Sequence, residues 1–364
     1  MAIDRRLLLN VDWVLVVATL LLAAVGIATI RSATFAGPSA PLYLKQTSLV
    51  CAGFLVLLAS LVVDYRRLAD RAVLLYIATA AVLLWVLRFG PIVAGTRRWF
   101  FLAGVQIQPS EIAKVVTAIL VAKIFSESRK ESLGLQDILG PGAAVGLLAL
   151  LIAREPDLGT AFCLVPLFLT VAFLAGLRLR SILGLVPVVA LAGGLWWQYA
   201  AQHYQKDRVE IFLGLKEDPK GAGYQKDQSK IAVGSGGFFG KGWKKGSQSQ
   251  LGYLPARHTD FVFSVLAEEM GFLGVFVVLG LYLLLLWRAL EAAQLARDRL
   301  GAFLVAGITA VLAFQVVYNV AMVAGLVPVK GLPLPLMSYG GASLLSTFIG
   351  IGLILNVRMR RFAN

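Results

Sequence analysis

Apolar runs alternate with short polar breaks along most of this 364-residue chain. Runs able to cross a bilayer as helices, the shorter ones extended by tilt or by their flanks, fall at about 11–30, 46–63, 72–87, 109–126, 138–153, 158–177, 181–199, 260–287, 301–327 and 336–357. The pattern predicts an all-α polytopic membrane protein with about ten transmembrane helices. The polar stretch 200–259 forms one large loop between the seventh and eighth helices, within a single domain covering 1–364. Arg5 and Arg6 precede the first run as they would in a secretion signal, but its length and the nine further runs favour a retained span.

Composition agrees with the pattern. The chain is 59% hydrophobic and 15% charged, with a mean hydropathy of +0.79; soluble domains hold about 25% charged residues. Cys51 and Cys163 both sit in apolar runs, so no disulfide framework is implied, and with only His203 and His258 there is no zinc-ligand cluster. The net charge of +14 fits basic cytoplasmic loops and contact with anionic lipid better than nucleic acid. With the N-terminus inside, the inner segments hold sixteen Lys and Arg against seven in the short outer ones. That asymmetry places both termini in the cytoplasm and the long loop outside the cell membrane.

In this topology every even-numbered helix begins at the outer face, and four of those beginnings carry the unusual polar sequences. They are "QIQPSEIAK" (Gln106–Lys114), "REPDLGTA" (Arg154–Ala161), "HTDF" (His258–Phe261) and "GLPLPLMSYGGAS" (Gly331–Ser343). Pro109 suits a first helical position, Glu111 falls where a capping-box carboxylate follows Gln108, and Asp157 is a natural N-cap. Several converging helix N-termini form an anion site, to which Lys114 and the pair Arg97–Arg98 add full charges. The anion expected at such a surface is a lipid-linked phosphate or diphosphate. Plainer roles exist for the same residues. Glu111 and Lys114 form a self-neutralising i,i+3 pair, Asp157 caps, and Arg97 and Arg98 beside Trp99 join an interfacial belt.

Asp260 stands at the water–lipid boundary, where partial desolvation would make it a general base; the alternative is an N-cap of the eighth helix. The sequence leaves both open. Glu268 and Glu269, two turns deeper, read as buried structural or partner-facing groups. The loop segment "GSGGFFGKGWKKGSQSQ" (Gly234–Gln250) is not a phosphate-binding P-loop, because Gly242 follows Lys241 where Ser or Thr is required. It reads as a glycine-hinged loop whose Lys241, Lys244 and Lys245 track an anionic surface. No Asp-x-Asp pair is present to hold a nucleotide-sugar metal, which points to a lipid-carried donor.

Five strings in order, "QPSEIAK", "PDLGTA", "GYQKDQSKIAVGSGGFFGKG", "LPARHTDFVFSVLAEEMGFLG" and "LPLMSYGGAS", resemble the SEDS family (shape, elongation, division and sporulation) over nearly the whole chain. The segment "GKGWKKGSQSQLGYLP" is similar to the elongation branch, RodA, rather than the division branch, FtsW. The resemblance implies a peptidoglycan glycosyltransferase in the bacterial cytoplasmic membrane, its site facing outward, polymerising lipid II from an undecaprenyl-pyrophosphate-linked glycan. It implies a class B penicillin-binding protein as partner, Asp260 as the essential base, and Glu111, Lys114 and Asp157 in a polar cavity. Gln108, Ser110, Arg97, Arg98, Arg208, Lys241, Thr259 and Ser338 complete the candidate substrate contacts. No cofactor or metal site is specified, and a divalent cation at the diphosphate stays open. Ala256 and Ala342 depart from the Glu and Ser common in the family. The rival readings are a division-type polymerase, a lipid II transporter, to which buried Glu268, Glu269 and Asn319 would belong, and a non-enzymatic scaffold.

Overall fold

A computed structural model describes residues 10–35, 41–93, 95–102, 105–128, 130, 132–199, 201–218 and 221–362. Arg5, Arg6 and Arg129, counted in the charge asymmetry, lie outside the described residues. A helix occupies each of the ten expected runs: α1 (Trp13–Ala33), α2 (Leu42–Val62), α4 (Ala72–Phe89), α5 (Pro109–Glu127), α6 (Leu135–Arg154), α7 (Leu158–Leu174), α8 (Leu179–Tyr199), α12 (Val262–Gln294), α13 (Arg299–Val323) and α14 (Gly341–Met359). Seven of them, α1, α2, α4, α6, α12, α13 and α14, are long and apolar enough to cross a membrane, and α7 is a shorter apolar helix. Shorter elements fill the connections: α3 (Tyr65–Asp70), then α9 (His203–Phe212), α10 (Ala222–Ser235) and α11 (Ser247–Gln250) within 200–259. One departure from all-α architecture is a small antiparallel hairpin of β1 (Phe100–Leu102) and β2 (Val105–Ile107).

The helices begin where capping chemistry allows. Asp12 caps α1 by accepting from the amides of Val14 and Leu15 at 3.1 and 3.2 Å, and Asp157 caps α7 through Thr160 at 3.2 Å. Pro109 opens α5 as expected, but the capping box does not form. Glu111 turns instead to Lys114 and Ser346, because leaving buried Lys114 without a counter-charge would cost several kcal/mol. Nor does Asp260 cap the eighth span, for Phe261 occupies that position without a side-chain bond.

α13 and α14 form the centre of the bundle, packing against α5, α7 and α12 and against α2 respectively. The outward flanks carry exposed large apolar residues such as Leu55, Trp85, Leu147, Phe276 and Trp287. So continuous an apolar exterior is the mark of an integral membrane protein.

The longest helix, α12, is broken. Gly271 adopts φ 61° and ψ −162°, and the backbone groups released around it pair with the segment 236–242. Lys241 N donates to Glu268 O and Gly242 N to Glu269 O, both at 3.0 Å; Phe272 N and Leu273 N donate to Gly237 O and Phe238 O at 2.9 and 3.1 Å. Such contact leaves no room for side chains. A Cβ on Gly236 would lie 2.0 Å from Ala267 O, and one on Gly240 2.1 Å from Glu269 O. Gly240→Ala, also strained by its φ of +80°, is expected to destabilise the protein by about 1–3 kcal/mol. Gly234→Ala, with open space around its Cβ inside α10, should be neutral or slightly stabilising. Thermal unfolding midpoints of the two variants in detergent test the contrast.

Candidate active site

A cavity of about 720 Å³ opens on the side of the bundle that carries the 200–259 segment. The connection between α4 and β1 contributes Thr96 and Arg98, the start of α7 contributes Asp157 and Phe162, and α8 contributes Trp196 and Trp197. α9 adds Gln205 and Arg208, and the connections flanking α12 and α14 add Asp260, Lys330 and Gly331. Three cations, Arg98, Arg208 and Lys330, thus share one space with the carboxylates of Asp157 and Asp260.

Asp260 is fixed through its backbone. Its carbonyl accepts from Asn319 Nδ2 at 3.0 Å, and the same amide group donates to Leu332 O at 2.9 Å. Ser338 Oγ donates to Thr259 O and accepts from Leu334 N, while Tyr339 N donates to His258 O at 2.8 Å. The segment 331–339 therefore clamps residues 258–260 while leaving the carboxylate unbonded among the described residues. Gly331 lies directly opposite: a Cβ there would sit 3.4 Å from Asp260 Oδ2. Burial pushes the Asp260 carboxyl up to about 6, against the opposing pull of Arg208 and Arg98. His258 is lowered by burial and by Arg257, so its imidazole is neutral at pH 7.

The cations are oriented by local contacts. Arg98 Nε donates to Thr96 Oγ1 at 2.9 Å, and Arg208 Nη1 donates to Val329 O at 3.0 Å. Lys330 Nζ stands 4.0 Å above the Phe162 ring, and burial together with Arg208 brings it down to about 8. Beside the cavity, Glu155 is buried with neither carboxyl oxygen bonded among the described residues. Burial and Asp157 raise it to about 8, against Arg98, so it is largely neutral at pH 7.

Of the residues singled out in the sequence, Asp260, Asp157, Arg98 and Arg208 line this cavity together. Gln108 and Ser110 stand behind it, donating to Asp157 Oδ2 at 2.7 and 2.9 Å. Glu111 and Lys114 do not line it; they pair at 2.8 Å in the bundle interior, with Ser346 donating to the same Glu111 oxygen at 2.6 Å. Arg97 points outward and donates to Arg88 O at 2.8 Å. Lys241 does not line the cavity; it binds Glu268 and Ser247, each at 2.8 Å. Thr259 and Ser338 serve the backbone clamp.

Lys330, Phe162, Trp196 and Trp197 are cavity residues that the motifs did not single out. Lys330 stands immediately before "GLPLP", and the tryptophan pair closes the seventh apolar run; each was visible only as an ordinary boundary residue. The groups that favoured transport are bonded within the protein, although Asn319 Oδ1 has no hydrogen-bond partner among the described residues. Glu268 accepts from Lys241, Gln248 N and Ser249 N, Glu269 accepts from Ser32 Oγ at 2.6 Å, and Asn319 braces Asp260.

The fold and cavity define a polytopic helical membrane protein with a charged site at one membrane face. The family described as cell cycle protein, FtsW/RodA/SpoVE, matches residues 6–362, and the chain belongs to that family. It is 39% identical to the peptidoglycan glycosyltransferase MrdB of Escherichia coli K12, over 87% of this chain and 85% of that one. It is 31% identical to the peptidoglycan glycosyltransferase RodA of Treponema pallidum, over 96% and 98%. Among solved structures it is similar to a chain of a peptidoglycan synthase complex (TM-score 0.84, 33% identity, 97% and 99% covered). It is also similar to the rod shape determining protein RodA of Thermus thermophilus (TM-score 0.73, 32% identity, 97% and 98% covered).

The interior pair has a testable energetic role. Glu111→Gln leaves Lys114 buried without its counter-charge and should cost about 3–5 kcal/mol. Adding Lys114→Met should recover much of the lost thermal stability, measured as the unfolding midpoint in detergent.

Proposed function

We propose that this chain is a peptidoglycan glycosyltransferase of the elongation type, polymerising lipid II at the outer face of the bacterial cytoplasmic membrane. The observation that carries the reading is the unbonded carboxylate of Asp260 in a cavity with Arg98, Arg208 and Lys330. The names of the relatives MrdB and RodA support the activity, and the excess of basic residues on the opposite side supports an outward-facing site. Likeness to a chain of a peptidoglycan synthase complex that couples polymerization to crosslinking supports a class B penicillin-binding protein as partner.

In this mechanism Asp260 takes the proton from the 4-hydroxyl of the lipid II acceptor as that oxygen attacks the anomeric carbon of the growing glycan. The bond from that carbon to the diphosphate breaks on the opposite side, so the linkage inverts from α to β. Charge accumulates on the departing undecaprenyl diphosphate, and Arg98, Arg208 and Lys330 neutralise it. Asp157, held by Gln108 and Ser110, keeps the N-terminus of α7 turned toward the same space. The Trp196–Trp197 wall offers apolar surface to sugar rings or to the lipid carrier.

Asp260→Asn keeps the shape of the side chain and removes the base, so polymerisation of purified lipid II should fall roughly 10²–10⁴-fold. Normal polymer yield from a folded Asp260→Asn protein contradicts the assignment. A carboxyl titrating at about 6 is a base only above that pH, so the rate should climb through pH 6 and be lost below it. Lys330, titrating at about 8, loses its charge above that pH, giving a descending limb that Lys330→Met abolishes.

A further inference from the structure

The long helix α12 carries its own depth scale. At one end Trp287 is 67% exposed and Arg288 is bound to Asp12 and Glu291, which fixes one water–lipid boundary there. A hydrocarbon core of about 30 Å takes about 20 residues of helix, so the opposite boundary falls near Glu268. The polar groups obey that limit. Glu268 and Glu269 lie at the boundary, bonded to Lys241 and Ser32, while Phe272 and Phe276 lie beyond it, inside the apolar zone.

The segment 236–242 crosses this limit. Its backbone is bonded to α12 from Glu268 to Leu273, so its depth is set by four hydrogen bonds. Phe238 stacks on Phe272 with ring centroids 5.7 Å apart, Phe239 meets Phe238 edge-on at 4.9 Å, and Phe272 continues the row to Phe276 at 6.3 Å. All four rings face outward, Phe239 at 77% exposure and Phe276 at 66%. Just above them a cationic and aromatic collar marks a headgroup level: Lys244 lies over Phe35 and Trp243 at 3.6 and 4.7 Å, and Arg31 over Tyr43 and Trp243.

We propose that residues 236–240 are a membrane-inserted element, in which Phe238 and Phe239 enter the acyl chains of the leaflet on the side of the 200–259 segment. Lipid is the occupant because the rings continue the lipid-facing surface of α12 below its polar boundary, with a headgroup-type collar above them. The element ties the cap formed by α9, α10 and α11 to the bilayer as well as to the bundle. It thereby fixes the height of Asp260, which lies two residues before α12 and eight before Glu268, on the water side of the boundary.

The test is electron paramagnetic resonance of nitroxide-labelled single cysteines in a Cys51→Ser, Cys163→Ala background, with the full chain in phospholipid nanodiscs. Phe239→Cys is compared with Phe276→Cys as the acyl-chain reference and Glu217→Cys as the aqueous one. Insertion predicts that oxygen collides with the label at 239 much more often than a water-soluble nickel chelate does, as at 276. Collision rates like those at 217 overturn the proposal. So does a label shielded from both reagents, the signature of a protein partner or a second copy covering the rings. Phe238→Cys repeats the measurement should the label at 239 disturb folding, judged by gel filtration.

Discussion

A bilayer offers no water to a broken helix, so every backbone group freed at a break must find a partner in the protein. That constraint acts at Glu268–Gly271, where α12 gives up its regular ladder, and four hydrogen bonds from residues 237–242 and 272–273 repair it. Each group left unpaired there would cost several kcal/mol. The repair needs glycine at 236, 240 and 271 because the two backbones touch. It also brings Lys241 to Glu268, so a buried carboxylate is neutralised by the same segment that heals the helix, while the start of α11 adds two amide bonds to it. The cap above the bundle is joined to a membrane helix by main-chain bonds.

The remaining polar groups divide by environment. In the bundle interior and at its far end, charge is paired at once: Glu111 with Lys114, and Asp12 with Arg288 and Arg358. In the cavity, charge is left with room around it. Asp260 has its backbone held from two sides and its carboxylate free of hydrogen bonds to the described residues, which is the arrangement a proton acceptor requires. A tight salt bridge would have lowered its basicity; Arg98 and Arg208 instead act across space, restraining a rise that burial alone would carry further.

Much of this was legible in the chain, for identifiable reasons. Ten apolar runs announce ten helices because length and hydropathy survive any tertiary arrangement. Asp157 was legible as a cap because its bond is local. The Glu111–Lys114 pair was legible because its i,i+3 spacing is local, whereas nothing local reveals that Ser346 of another helix shares Glu111 and that the capping box gives way. Between Arg97 and Arg98 the sequence offers no choice, yet one is bonded to Arg88 O at the exposed surface and the other reaches the cavity. Lys241 looked like a surface cation because nothing local reveals that its loop folds down onto Glu268. Lys330 passed as one more basic residue in a short connection until Phe162 and Arg208 stood beside it.

The claim on which the architecture turns is that residues 237–242 are bonded into α12. Hydrogen–deuterium exchange of the protein in nanodiscs reads it directly at the amides of Lys241, Gly242, Phe272 and Leu273. The structure predicts that Lys241 and Gly242 exchange as slowly as amides of the spans, although they lie in a glycine-rich connection. Exchange at the rate of an open loop would contradict it.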